Sequence, residues 1–143
     1  MKNKTIWVIL LAFVVIVSLG VITSPAIGLE KAEKGTRLFS ISTMVVAEDV
    51  QDRKPAGVAE TFPALTEKVY CFIEAKNISE DTEATFVWYH EGQEMRTFTL
   101  PIMQGPRWRA FAYKNLHGKT GNWKVEVKDT TGNSVKAITF KVE

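Results

Sequence analysis

The chain of 143 residues is poor in the residues that do most protein chemistry. Cys71 is its one cysteine, and His90 and His117 are its two histidines. A lone cysteine excludes an intrachain disulfide, a multi-cysteine zinc site and a CxxC redox pair. The two histidines fall in neither an HExxH nor an HxH spacing, so no metal centre and no cofactor is expected. A weak metal reading of His90 with Glu91 and Glu94 loses to a strand-end histidine followed by a polar hairpin tip. There is no GxSxG elbow, no SxxK, no Walker loop and no dinucleotide fingerprint, so the sequence predicts a protein that is not an enzyme.

Charge of one sign is also missing. The formal charge is +2, and Lys2 and Lys4 supply all of that excess, because residues 29–143 carry 16 basic and 16 acidic residues. A neutral body lacks the clustered basic surplus that nucleic acid demands, and no nucleic-acid partner is expected. Internal repeats and low-complexity tracts are absent too.

One long apolar run is present. Ile6 to Ile22 is interrupted only by Ser18 and Gly20, and extending it through Gly28 gives an uncharged stretch long enough to span a bilayer with some tilt. The favoured reading is one N-terminal hydrophobic helix acting as an uncleaved anchor. The rival is a signal peptide cut after Ser24-Pro25-Ala26, which would release the domain to the periplasm or the medium. Both leave the short tail with Lys2 and Lys4 inside and carry the remainder outward, so the expected location is the cell membrane, single-pass, with the domain outside the cytoplasm. Residues 1–28 are thus anchor or signal peptide, 29–37 a charged linker and 38–143 the folded domain.

From Leu38 onward, β-branched and aromatic runs alternate with turn residues and no 3.6-residue period is sustained. This predicts an all-β fold. The clearest strand is Trp123 to Asp129, with Trp123, Val125 and Val127 on one face and Lys124, Glu126 and Lys128 on the other. Thr130 to Asn133 turns the chain into Val135 to Val142. Thr85 to His90 and Met95 to Leu100 form a second hairpin. Val69 to Lys76, Trp108 to Tyr113 (entered from a Gln104-Gly105-Pro106 turn) and Leu38 to Val46 complete about seven strands. Cys71 on one strand and Trp88 on the next suggest the core of a single immunoglobulin/fibronectin-like β-sandwich, without its disulfide. Cys71 and the tryptophans Trp88, Trp108 and Trp123 are expected in that core.

The candidate ligand-binding residues are few. In Gly105-Pro106-Arg107-Trp108-Arg109 the strand alternation puts Arg107 and Arg109 on one face and Trp108 on the other. Two same-face guanidiniums near Lys114 can hold a carboxylate, a phosphate or an acidic sugar. They can equally pair with an acid on a neighbouring strand or stack on Tyr89 or Tyr113, and that structural role is the expectation.

The motifs Val69-Tyr70-Cys71-Phe72, Trp88-Tyr89-His90 with Gly92, Leu100-Pro101, Arg107-Trp108-Arg109, Lys114, Thr120-Gly121 with Trp123, and Val125-Glu126-Val127 occur in this order. With Ala47, Val50, Arg53, Pro55, Thr61-Phe62, Gly132 and the closing Phe140 and Val142-Glu143, they resemble the C-terminal module known as domain of unknown function 2914, over residues about 43–143. The resemblance implies a bacterial source and a compact β module, and it implies no reaction. It also makes His90, Arg107, Arg109 and Lys114, as polar members of the pattern, the candidates for a shared site. The expected role is a non-catalytic, membrane-tethered module that binds another cell-envelope component, protein or polysaccharide. The alternatives are a small cell-wall hydrolase or transferase, or a structural subunit of a membrane complex.

Overall fold

The computed structural model describes residues 37–143. The expected helix over Ile6 to Ile22 and most of the linker lie outside the described residues. Nine strands follow one another: β1 (Ser40–Gln51), β2 (Lys54–Val58), β3 (Thr61–Phe62), β4 (Lys68–Ile78), β5 (Thr82–His90), β6 (Gln93–Ile102), β7 (Gly105–Asn115), β8 (Gly121–Lys128) and β9 (Ser134–Val142). They form a four-stranded sheet in the order β2-β1-β4-β7 and a five-stranded sheet in the order β3-β9-β8-β5-β6. Every pairing is antiparallel except β3 with β9.

All seven expected strands are present, and β2 and β3 are additions to them. β2 reads Lys-Pro-Ala-Gly-Val, which has no apolar alternation, and β3 is two residues long. Each is held by a partner that local sequence does not show. A second correction concerns Gly105 and Pro106, which begin β7 instead of forming a turn. Proline has no N–H to give a ladder and is confined to sheet edges. Pro55, Pro101 and Pro106 lie on β2, β6 and β7, each at the end of its sheet.

Alternation builds the core. Val69, Cys71, Ile73 and Ala75 of β4 and Ala110 and Ala112 of β7 join one buried cluster with Ala84, Phe86 and Trp88 of β5 and Trp123, Val125 and Val127 of β8. Phe140 of β9 is its aromatic hub. Its ring stacks on Trp123 at 6.0 Å, and it meets Trp88 at 6.4 Å and Phe62 of β3 at 5.8 Å in edge-on contacts. These aromatic geometries add to the burial of the rings themselves. Cys71 is fully buried, and burial pushes its thiol pKa far above the ordinary value, so it is an inert core residue. Trp108 is half-buried against the cluster, as its place on an edge strand requires.

Candidate functional site

The two sheets differ in the face each turns away from the core. On the five-stranded sheet, the rows Thr85 with Thr99 and Lys128, Val87 with Thr97 and Glu126, and Tyr89 with Glu94 and Lys124 are mostly polar. Its single outward aromatic ring is already engaged. The Tyr89 hydroxyl donates to Glu126 Oε1 at 3.2 Å, and the Lys124 ammonium lies 4.8 Å from its ring centroid. A broad hollow of about 980 Å³ beside it mixes apolar side chains, Trp123, Ile138 and Phe140, with polar ones, Glu60, Lys124 and Lys141.

The four-stranded sheet is different. Its register sets Val58, Ala47, Tyr70 and Tyr113 in one row and Val45, Phe72 and Phe111 in the next. These apolar and aromatic side chains form a band that faces away from the sandwich core, with Ala47 and Phe72 among them buried at 0% and 4% exposure. Val58, Phe111 and Tyr113 are 54%, 41% and 45% exposed. They are three of the five large apolar or aromatic side chains left exposed among the described residues, and they lie on one face, which separates a patch from ordinary scatter. Tyr70 contacts Phe111 and Tyr113 at centroid distances of 6.1 and 5.8 Å.

Cations border the band. At one end, Lys68 Nζ lies 5.6 Å from the Tyr70 ring and 5.1 Å from the Tyr113 ring. At the other, Glu74 pairs in register with Arg109 and Lys76 with Arg107. Glu74 Oε2 accepts from Arg109 Nε at 3.2 Å and lies 3.9 Å from Arg107. The Arg109 hydrogen bond, with the Arg107 charge beside it, holds the Glu74 carboxyl below the usual glutamate range. One carboxylate is shared by two guanidiniums, and Arg107 remains well exposed.

A third arginine joins them from elsewhere in the chain. Arg53, at the tip of the β1–β2 hairpin, lines with Phe72, Phe111, Arg107, Trp108 and Arg109 a cleft of about 430 Å³. The hairpin tip is Asp52-Arg53, with φ of +50° and +59°. Such a two-residue turn with both φ positive ordinarily takes Asn-Gly or Asp-Gly. An arginine in the left-handed region is sterically costly, and such outliers concentrate at functional sites.

The predicted candidates therefore divide. Arg107 and Arg109 share a face, as alternation required, and do pair with an acid on the neighbouring strand. Lys114 is on the opposite side of β7, pointing into the sandwich at 7% exposure, and it contributes nothing to the cleft. Its ammonium donates to the Asn115 carbonyl at 2.7 Å and lies 5.8 Å from the Trp123 ring. Burial, with Arg96 and Lys119 as like charges, lowers its pKa. His90 ends β5 on the other sheet, tilted at 44° against Trp123 with ring centroids 4.6 Å apart, and its Nε2 donates to the Thr120 carbonyl at 2.7 Å. It ties a strand end to a loop. Among the described residues, no group of three or more His, Cys, Asp or Glu side chains is placed to hold a metal ion.

Phe111 and Tyr113 were legible from strand alternation with Arg107 and Arg109. Their exposure, and the presence of Arg53, Tyr70 and Phe72 beside them, depend on sheet register and hairpin geometry.

The comparisons with known proteins bear on family and not on activity. Residues 81–142 match the model of a family described as a protein of unknown function, DUF2914. The resemblance read from Trp88-Tyr89-His90, Arg107-Trp108-Arg109 and the Trp123 strand is thereby shown for the C-terminal part, while residues 43–80 lie outside the match. No curated protein matches the chain. Similar solved structures include a β-glucosidase from Kluyveromyces marxianus, at 12% identity and a TM-score of 0.44, covering 73% of this chain and 14% of that one. A β-glucosidase from Listeria innocua in complex with glucose has 10% identity and a TM-score of 0.46, covering 73% of this chain and 15% of that one. A likeness so weak, to so small a share of those enzymes, carries no conclusion about this protein.

Proposed function

We propose that the folded part is a non-catalytic recognition module, held outside the cytoplasm by the N-terminal apolar segment, that binds another cell-envelope component through the outer face of the β2-β1-β4-β7 sheet. The observation that carries this reading is the exposed band of Val58, Phe111 and Tyr113 beside the cleft of three arginines. The fold is read as immunoglobulin/fibronectin-like, because β4 and β5, which carry Cys71 and Trp88, lie in opposite sheets, as the second and third strands of such sandwiches do. A hydrolase or transferase is less favoured, since the acid in the cleft region, Glu74, is committed to Arg109 and has its pKa lowered, the reverse of a general acid's requirement.

The test is retention of the full-length chain, in detergent, on washed envelope material. Phe111→Ala with Tyr113→Ala is expected to reduce the retained fraction several-fold, and Thr99→Ala on the other sheet to leave it unchanged. Equal retention of all three proteins would overturn the reading. Protease added to intact spheroplasts should remove the domain, and full protection would contradict its external placement.

A further inference from the structure

Resting on that reading of the face, we infer that its ligand is an acidic polysaccharide, a linear glycan whose sugars carry carboxylates. Successive outward side chains of β7 are Arg107, Arg109, Phe111 and Tyr113. At a strand rise of about 3.3 Å per residue they form a straight track about 20 Å long, with the two aromatic rings about 7 Å apart. A track of that length is longer than one sugar ring and suits a chain of them.

The order of side chains specifies the chemistry. A pyranose ring has an apolar C–H face that packs on an aromatic ring. Phe111 is 41% exposed, and Tyr113 is 45% exposed with the Lys68 ammonium 5.1 Å from its ring. A carboxylate on the sugar is matched by guanidinium, which offers paired donors in a planar fork. Arg53, Arg107 and Arg109 line one cleft with Phe72, Trp108 and Phe111. Arg109 is already bonded to Glu74, so the well-exposed Arg107, with Arg53, is the group that receives the carboxylate. Along β4 and β7 the outward cations Lys68, Lys76, Arg107 and Arg109 outnumber the acids beside them, Glu74 on β4 and Asp49 of β1 near Lys68. A chain that is formally neutral over residues 29–143 thus concentrates positive charge where its aromatic rings are exposed.

An acidic peptide fits less well. Extended peptides usually add a strand to a sheet edge and drop alternate side chains into pockets. The recognition groups here stand on the face of the sheet, not along its edge, and the β7 edge begins with Pro106, which lacks an N–H. The cleft is lined by three arginines and three aromatic side chains, Phe72, Trp108 and Phe111. Arg53 shares its left-handed backbone with Asp52, Asn77, Glu91 and His117. What places it in the argument is its position in the cleft, and a glycine there would take the same backbone without strain yet could not reach a carboxylate.

Binding of the full-length chain in detergent to an oligogalacturonate, to the same oligosaccharide with its carboxyls reduced to alcohols, and to polyglutamate of matched charge tests the inference. The oligogalacturonate should bind, with the reduced form and polyglutamate each weaker by about tenfold or more, the scale of one lost charge-assisted contact or one lost stacking contact. Arg107→Ala and Phe111→Ala should each weaken oligogalacturonate binding by a similar factor, and Lys128→Ala on the opposite sheet should not. Arg53→Gly is the variant least exposed to misfolding, and it should weaken binding while leaving thermal stability unchanged or higher. Equal binding of the reduced form would overturn the carboxylate, equal binding of polyglutamate would overturn the glycan, and binding of none of the three would overturn the inference. In that last case, face-dependent retention on envelope material would still stand, so the two claims fail separately.

Discussion

Two ionisable residues show how this protein spends charge. Glu74 is held by Arg109 and Arg107, and its pKa lies below the ordinary glutamate value of 4.5. Because the folded-state pKa is depressed, the stability that Glu74 contributes is fully present above pH 4.5 and is lost as pH falls through the depressed value. Carboxyl-carbon NMR should give Glu74 a titration midpoint under 4.5, and a midpoint at or above it would contradict the pairing. Lys114 has the opposite sense. Its folded pKa is lowered by burial, so the unfolded chain binds the proton more tightly and stability rises with pH toward 10.5. Lys114→Met keeps most of the apolar stem and removes the buried ammonium. It should stabilise the fold by on the order of 1 kcal/mol in urea unfolding at neutral pH, and a loss of that size would show that the Asn115 contact outweighs desolvation.

At the scale of elements, turns and short strands carry weight out of proportion to their length. The β8–β9 connection is organised by Asp129, whose Oδ1 accepts from the backbone N–H groups of Thr131 at 2.9 Å and Asn133 at 3.0 Å, and from the Thr131 hydroxyl at 2.6 Å. Asp129→Ala should cost about 1–2 kcal/mol, the scale of losing such a side-chain cap on a turn, as read by chemical denaturation. β3 is two residues long, yet backbone bonds from Lys141 to Glu60 and from Glu143 to Phe62, each 2.9 Å, hold it beside β9 and deliver Phe62 to the Phe140 ring. Phe62→Ala should cost about 3–5 kcal/mol, and a cost under 1 kcal/mol would mean that β3 is ornamental.

These elements also show what was legible beforehand. Strands with one wet and one dry face, such as β8, declare themselves through alternation, and the Arg107–Arg109 face follows from the same period of two. β3 does not, since two residues have no period and its partner lies about 80 positions away along the chain. β4 is readable as a strand, but its continuous apolar run hid the fact that Tyr70 and Phe72 point outward, opposite Val69, Cys71 and Ile73. Grouping Lys114 with the arginines failed for a simple reason. Residue 114 is an odd number of positions from 107 and 109, so alternation puts it on the other side of the strand.

The whole domain pairs a polar outer sheet face with an aromatic one bordered by cations, while its formal charge over residues 29–143 is zero. Formal charge therefore said little about the ligand. What matters is that the exposed rings of β7 coincide with the arginines of β7 and of the β1–β2 hairpin. The most direct measurement is amide hydrogen exchange of the full-length chain in detergent, with and without acidic envelope polysaccharide. Added protection is expected in β4, β7 and the β1–β2 hairpin, centred on Phe111 and Arg107, with β5, β6 and β8 unchanged. Protection confined to the five-stranded sheet, or none at saturating polysaccharide, would contradict the account.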